Sequence, residues 1–158
     1  MNEEMSLADR LELMAHLHPD RPAIVAGNDV WSYARLAAVM TQAAAACIGR
    51  GVSPGDRVVL FFDQGPIAWA ALFAVWRSGA IAVPISVSQP SERLRRMFND
   101  AAPRLIVTDA QHAHDVNDAF GNALPVILMD DLVADGPLVE IPACHAPAFP
   151  WFGLPKLA

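Results

Sequence analysis

From Arg57 to Met129 the chain alternates β-prone apolar runs with helical segments, and this alternation confines it to an α/β fold built on a parallel sheet. Arg57 to Phe62 reads as a buried strand, Pro66 to Ser78 as a helix with proline in its first turn, and Ala80 to Pro84 as a second strand. Ser91 to Asp100 follows as a polar-faced helix, Arg104 to Thr108 as a strand, His112 to Phe120 as a short helix and Pro125 to Met129 as a fourth strand. Parallel strands need a crossover each, so the helices must cover the faces of the sheet. The expectation is a three-layer α/β domain with a mainly parallel sheet, in which Arg57 to Phe62 and Ala80 to Pro84 are neighbouring parallel strands.

The segment before this unit carries its own signals. Ser6 is placed to cap an amphipathic helix from Leu7 to Leu17, with Asp9 in the capping-box position. Ala23 to Ala26 and Val30 to Tyr33 flank the turn-rich Gly27-Asn28-Asp29 and read as a small hairpin. Tyr33 to Gly49 reads as an alanine-rich helix whose stripe includes Leu36, Met40, Ala43 and Cys47, with Gly49 or Gly51 as its stop. After Asp135 the prolines at 137, 142, 147, 150 and 155 forbid an ordinary helix, so residues 135–158 are expected to form an extended tail on a domain of residues 1–134.

Charge and hydropathy narrow the function classes. A formal net charge of −6 offers no basic footprint for nucleic acid. The longest apolar stretch, Pro66 to Trp76, is far short of the ~20 residues that span a bilayer. The acidic start Met1-Asn2-Glu3-Glu4 is the reverse of a signal peptide, so the expectation is a soluble cytoplasmic protein that binds neither nucleic acid nor membrane. Cys47 and Cys144 stand in no metal-type or redox-type spacing. The chain is 54% apolar, above the ~45–50% usual for soluble domains, and part of that surplus is expected to face a partner or a missing lobe.

The helix from Pro66 to Ser78 is apolar on nearly every side, with Trp69, Leu72, Phe73, Val75 and Trp76. Such a helix is normally buried. Two readings stay open: a core helix covered by the N-terminal helices, or one that also meets a partner through Trp69 and Trp76, assisted by Trp151 and Phe152 in the tail.

Four ordered segments carry a family resemblance: Arg21-Pro22-Ala23-Ile24; Trp31-Ser32-Tyr33-Ala34-Arg35-Leu36; Gly51-Val52-Ser53-Pro54-Gly55-Asp56-Arg57-Val58; and Trp76-Arg77-Ser78-Gly79-Ala80-Ile81-Ala82-Val83-Pro84-Ile85. Together they resemble the N-terminal part of the AMP-binding superfamily, which includes acyl-CoA synthetases, nonribosomal-peptide adenylation domains and luciferases. Arg35 stands where the family pattern has glutamate, and Ser86-Val87 where it has Asp or Asn followed by Pro.

The resemblance implies a carboxylate-activating chemistry whose machinery lies further on, beginning with a Ser/Thr/Gly-rich loop that ends in Gly-x-Pro-Lys-Gly. Gly153-Leu154-Pro155-Lys156 matches only the end of that loop, behind Phe149-Pro150-Trp151-Phe152. A phosphate cradle needs small residues, because successive N–H groups must approach the oxygens and some positions take positive φ. The expectation is therefore a ligase-like lobe truncated before its phosphate loop, with Gly153, Pro155 and Lys156 as a remnant or a chance match. Alone it would have no catalytic residues and no cofactor, would take ATP and Mg only when completed by a second lobe, and would act through a protein partner or as a homo-oligomer. The alternative is one half or a fragment of an AMP-forming acyl or aminoacyl ligase that activates a carboxylate only with a second lobe.

Ligands in doubly wound sheets gather outside the carboxyl ends of the strands, where Asp63, Gln64, Ser86, Ser88, Thr108 and Asp109 offer polar groups for a small molecule. Ordinary turn and cap roles explain the same residues. His112-Ala113-His114 beside Asp115 is expected on a solvated helix face and not at a metal, since alternate helix positions point apart.

Overall fold

The computed structural model describes residues 5–121 and 123–133. The expectations for Trp151, Phe152, Gly153, Pro155 and Lys156, and for an extended tail from residue 135, lie outside the described residues.

Helix α1 (Leu7–Leu17) opens on the expected capping box: Ser6 Oγ accepts the Asp9 N–H at 3.1 Å, and Asp9 Oδ2 accepts the Ser6 N–H at 3.0 Å. Strands β1 (Pro22–Ala26) and β2 (Asp29–Ser32) form the antiparallel hairpin, turning at Gly27 with φ +61°. Ser32 then caps α2 (Tyr33–Gly49) by accepting the Arg35 N–H at 3.2 Å. The predicted stripe Leu36, Met40, Ala43 and Cys47 is buried.

The four remaining strands, β3 (Arg57–Phe62), β4 (Ile81–Ser86), β5 (Leu105–Thr108) and β6 (Val126–Leu128), are all parallel in the order β4-β3-β5-β6. β3 and β4 run in register from Arg57 opposite Ile81 to Phe62 opposite Ser86. Helices α3 (Pro66–Arg77), α4 (Ser91–Ala101) and α5 (Ala113–Phe120) make the crossovers, and a short α6 (Asp130–Val133), which sequence pattern does not announce, follows β6.

Three layers result. Val58 and Leu60 of β3 join Leu105 and Val107 of β5 in a core shared with α1, α2 and α3. Val59 and Phe61, on the opposite face, meet Ile106, Leu94, Phe98 and Val116 beneath α4 and α5. Burial on both faces is why β3 reads as a continuous apolar run and not as an alternation.

Helix α3 has one buried side and one partly exposed side. Ala70, Ala71, Ala74 and Val75 are buried in the core that α3 shares with α2, where the small side chains permit close approach. Trp69 and Trp76 remain 50% and 39% exposed. Phe73 lies between them, with ring centroids 6.4 Å from Trp69 and 5.7 Å from Trp76, so the outer side of α3 is an aromatic stripe.

Beside this stripe lies β4, the edge strand of the sheet among the described residues. The Ile81 N–H donates to the Asp56 carbonyl at 2.7 Å. In a parallel ladder this turns the backbone of Ile81, Val83 and Ile85 toward β3 and that of Ala82, Pro84 and Ser86 toward the open edge. Pro84 therefore removes a donor on the open side, where the loss costs the sheet nothing and discourages addition of another strand.

Candidate functional site at the strand ends

The crossover direction reverses at β3: its successor β4 lies on one side of it and β5 on the other. In a doubly wound sheet the carboxyl ends at such a reversal frame the usual ligand crevice. Here that crevice is filled by an imidazole. His112 Nδ1 lies 2.6 Å from Asp109 Oδ1, its Nε2 lies 3.4 Å from Asp63 Oδ2, and its ring meets Phe61 edge-on at 5.9 Å. The His112 side chain is only 7% exposed.

This corrects the expectation of a solvated His112. The residue sits at the N-cap position of α5, before the first helical turn, so its side chain is free to turn inward while His114 stays outside and meets Asp118 at 3.0 Å. The two histidines are not brought together. Among the described residues no group of three His, Cys, Asp or Glu side chains is arranged to hold a metal ion.

The six polar residues singled out at the strand ends separate into distinct settings. Thr108 is buried and its Oγ1 donates to the Phe61 carbonyl at 2.7 Å, a clip between β5 and β3 that leaves no exposed surface for a ligand. Asp109 is committed to His112, whose backbone N–H it also accepts at 2.9 Å. Asp63, Gln64, Ser86 and Ser88 line a groove of about 570 Å³ between the start of α3 and the end of β4. Its walls are Leu60, Phe62, Trp69, Leu72 and Pro84, and Ser86 and Ser88 share a hydroxyl hydrogen bond of 2.9 Å on its rim. Sequence reasoning found the rim and missed the histidine. The signal available was the Asp109-x-x-His112 spacing at a helix start, which suits an aspartate accepting the N–H three residues on.

The donor set does not suit nucleotide phosphates. Among the described residues the groove is lined by no lysine or arginine, its one charged side chain is the Asp63 carboxylate, and the crevice between β3 and β5 is closed by His112. Backbone N–H groups at the start of α3 would favour an anion, but Asp63 stands three residues before that helix and opposes it.

A family model described as AMP-binding enzyme matches residues 11–145. The chain belongs to that family. It is 36% identical, over 77% of its length, to the nonribosomal peptide synthetase chyA of Penicillium rubens, and 31% identical, over 88% of its length, to N-(5-amino-5-carboxypentanoyl)-L-cysteinyl-D-valine synthase of Amycolatopsis lactamdurans. It spans 5% and 4% of those two proteins. The fold is that of the fatty acid AMP ligase from Legionella pneumophila, with a TM-score of 0.72 at 24% identity over 82% of this chain and 24% of the ligase. Membership of the AMP-binding family and the α/β fold expected from the strand–helix alternation are both borne out. Among the described residues no helix is long and apolar enough to cross a membrane.

Proposed function

We propose that these 158 residues form no acyl-adenylate by themselves and serve as a cytoplasmic docking lobe in carboxylate activation of the nonribosomal-peptide type. The lobe pairs with a second copy, or joins a biosynthetic enzyme or carrier protein, through the outer side of α3. The observation that carries this reading is the half-exposed Trp69–Phe73–Trp76 stripe, set against the fully buried alanine side of the same helix. Aromatic side chains held rigidly on a helix lose little entropy on docking and anchor interfaces. Pro84 on the neighbouring edge favours side-chain packing over strand addition as the mode of contact.

Light scattering of the purified chain, with pull-down from its host, tests the proposal. Association that disappears in Trp76→Ala with an unchanged circular dichroism spectrum supports it. A strict monomer that recovers no partner refutes it, as does carboxylate-dependent pyrophosphate exchange by the chain alone.

A second reading is supported by the extent of the structural match, since the chain corresponds to 24% of a complete ligase. In that reading it is one part of an AMP-forming ligase, and ATP and Mg are taken up only with a second lobe that supplies the phosphate loop. Pyrophosphate exchange that appears only on mixing the chain with a polypeptide carrying the remainder distinguishes it from pure docking.

A further inference from the structure

The groove between α3 and β4 has a chemistry of its own and shares Trp69 with the outer aromatic stripe. Its volume of about 570 Å³ lies within the range of small-molecule sites, which is roughly 300–1,000 Å³. Leu60, Phe62, Leu72 and Pro84 provide an apolar bed, and the indole of Trp69 forms one wall. At one end the wall becomes polar, with Gln64, Ser86, Ser88 and the carboxylate of Asp63. Asp63 is 65% exposed even though its Oδ2 faces His112, so the carboxylate remains open to a ligand.

We infer that this groove binds a small organic ammonium ion with an alkyl or aryl body. The apolar body would lie between Trp69, Leu72 and Pro84, and the ammonium would face Asp63 with the serine hydroxyls and Gln64 as further acceptors. Three observations converge on the cation. Among the described residues the lining carries one ionisable side chain, and it is negative. The chain as a whole is negative, at −6, which raises the local concentration of cations. An exposed indole in the same groove as a carboxylate attracts ammonium groups through its ring face.

An anion meets the opposite field. The start of α3 contributes a partial positive charge of about half a unit, whereas Asp63 contributes a full negative one three residues earlier. His112 contacts Asp63 through Nε2 and Asp109 through Nδ1, and neither His112 nor Asp109 is among the residues that line the groove.

Calorimetric titration of the 158-residue protein with n-hexylammonium, n-hexanol and n-hexanoate tests the inference, because the three share one chain length and differ in charge. The expected result is binding of hexylammonium at least about tenfold tighter than either control, a difference of about 1.4 kcal/mol. Asp63→Asn keeps an acceptor toward His112 and removes the charge; it should abolish the preference while leaving the thermal melt in place. Trp69→Leu, which retains apolar area, should weaken hexylammonium more than hexanol. Equal affinity for the three, preference for hexanoate, no binding of any, or a preference that survives Asp63→Asn would overturn the assignment. Trp76→Ala leaves the groove intact, so loss of association in that variant with retained ammonium binding separates this site from the docking surface.

Discussion

Asp109 holds His112 at two points through one oxygen: Oδ1 accepts the backbone N–H at 2.9 Å and faces the ring Nδ1 at 2.6 Å. The pair fastens the start of α5 to the end of β5, and Nε2 carries the tie across to Asp63 at the end of β3. Both contacts with Asp109 lie in a partly buried setting, so removing the ring leaves a polar group with poor access to water. His112→Leu should lower unfolding stability by about 1–3 kcal/mol. Asp63→Ala, at an exposed carboxylate, should cost less than about 1 kcal/mol. Urea denaturation of the two single variants and of Asp109→Ala checks this, and a double-mutant cycle should give a larger coupling for His112 with Asp109 than with Asp63.

Arg77 is the joint between α3 and α1. Its Nε lies 3.0 Å from Glu12 and an Nη 3.4 Å from Asp9, whose other oxygen closes the capping box with Ser6. Asp9 thus caps α1 and anchors it. Because Arg77 is largely buried, Arg77→Met should cost about 1–3 kcal/mol, and Glu12→Gln less than about 1 kcal/mol. The measurement is chemical denaturation at low and high salt, where the Glu12 effect should shrink as salt screens its exposed side.

Gly79 and Gly55 both take positive φ, +77° and +88°, and their backbones are linked by a hydrogen bond of 2.9 Å. They differ in surroundings. A Cβ at Gly79 would lie 3.2 Å from Pro54 Cβ, whereas one at Gly55 would meet open space. Gly55→Ala should therefore cost only the backbone strain, about 1–2 kcal/mol, and Gly79→Ala more than that, because the proline ring can give little. Thermal melts of the two variants give the comparison directly.

The parts of the fold that could be read from sequence are those set by local rules. Strand β3 is legible because burial on both faces leaves the five residues after Arg57, Val58 to Phe62, all apolar. Helix α1 is legible from its Ser6 and Asp9 cap. What stayed hidden depends on contacts between elements distant in sequence. The Asp109-x-x-His112 spacing marks the capped start of α5, but the inward turn of the ring also involves Phe61 and Asp63, some fifty residues earlier in the chain, which His112-Ala113-His114 does not announce. Arg35, a departure from the family pattern, gains its meaning only when the hairpin folds and sets its guanidinium 4.2 Å from the Trp31 ring centroid. The groove is a middle case: the sheet rule places its rim residues at the strand ends, but which of them share a cavity depends on how α3 lies on β4.

Cys47 offers a pH test of the α2 packing. It lies within the core joining α1, α2 and α3, and burial pushes its thiol up from the ordinary value of 9.0 to about 11, since the thiolate would lose its water without gaining a partner. Between those two values the unfolded chain has released the proton and the folded chain still holds it. The unfolded state then binds fewer protons, so stability must fall as pH rises from about 9 and level off near 11. The loss attributable to this one group is roughly 2–3 kcal/mol. Cys47→Ala should remove that component, leaving a shallower decline from the remaining titrating groups, at the cost of a small cavity below pH 9. Denaturation midpoints of the two proteins at intervals from pH 7 to pH 11 supply the measurement; parallel curves would mean that the thiol is solvated in the folded state. The same burial keeps the thiol protonated and enclosed at pH 8, so thiol-modifying reagents should react with Cys47 only as fast as the domain opens.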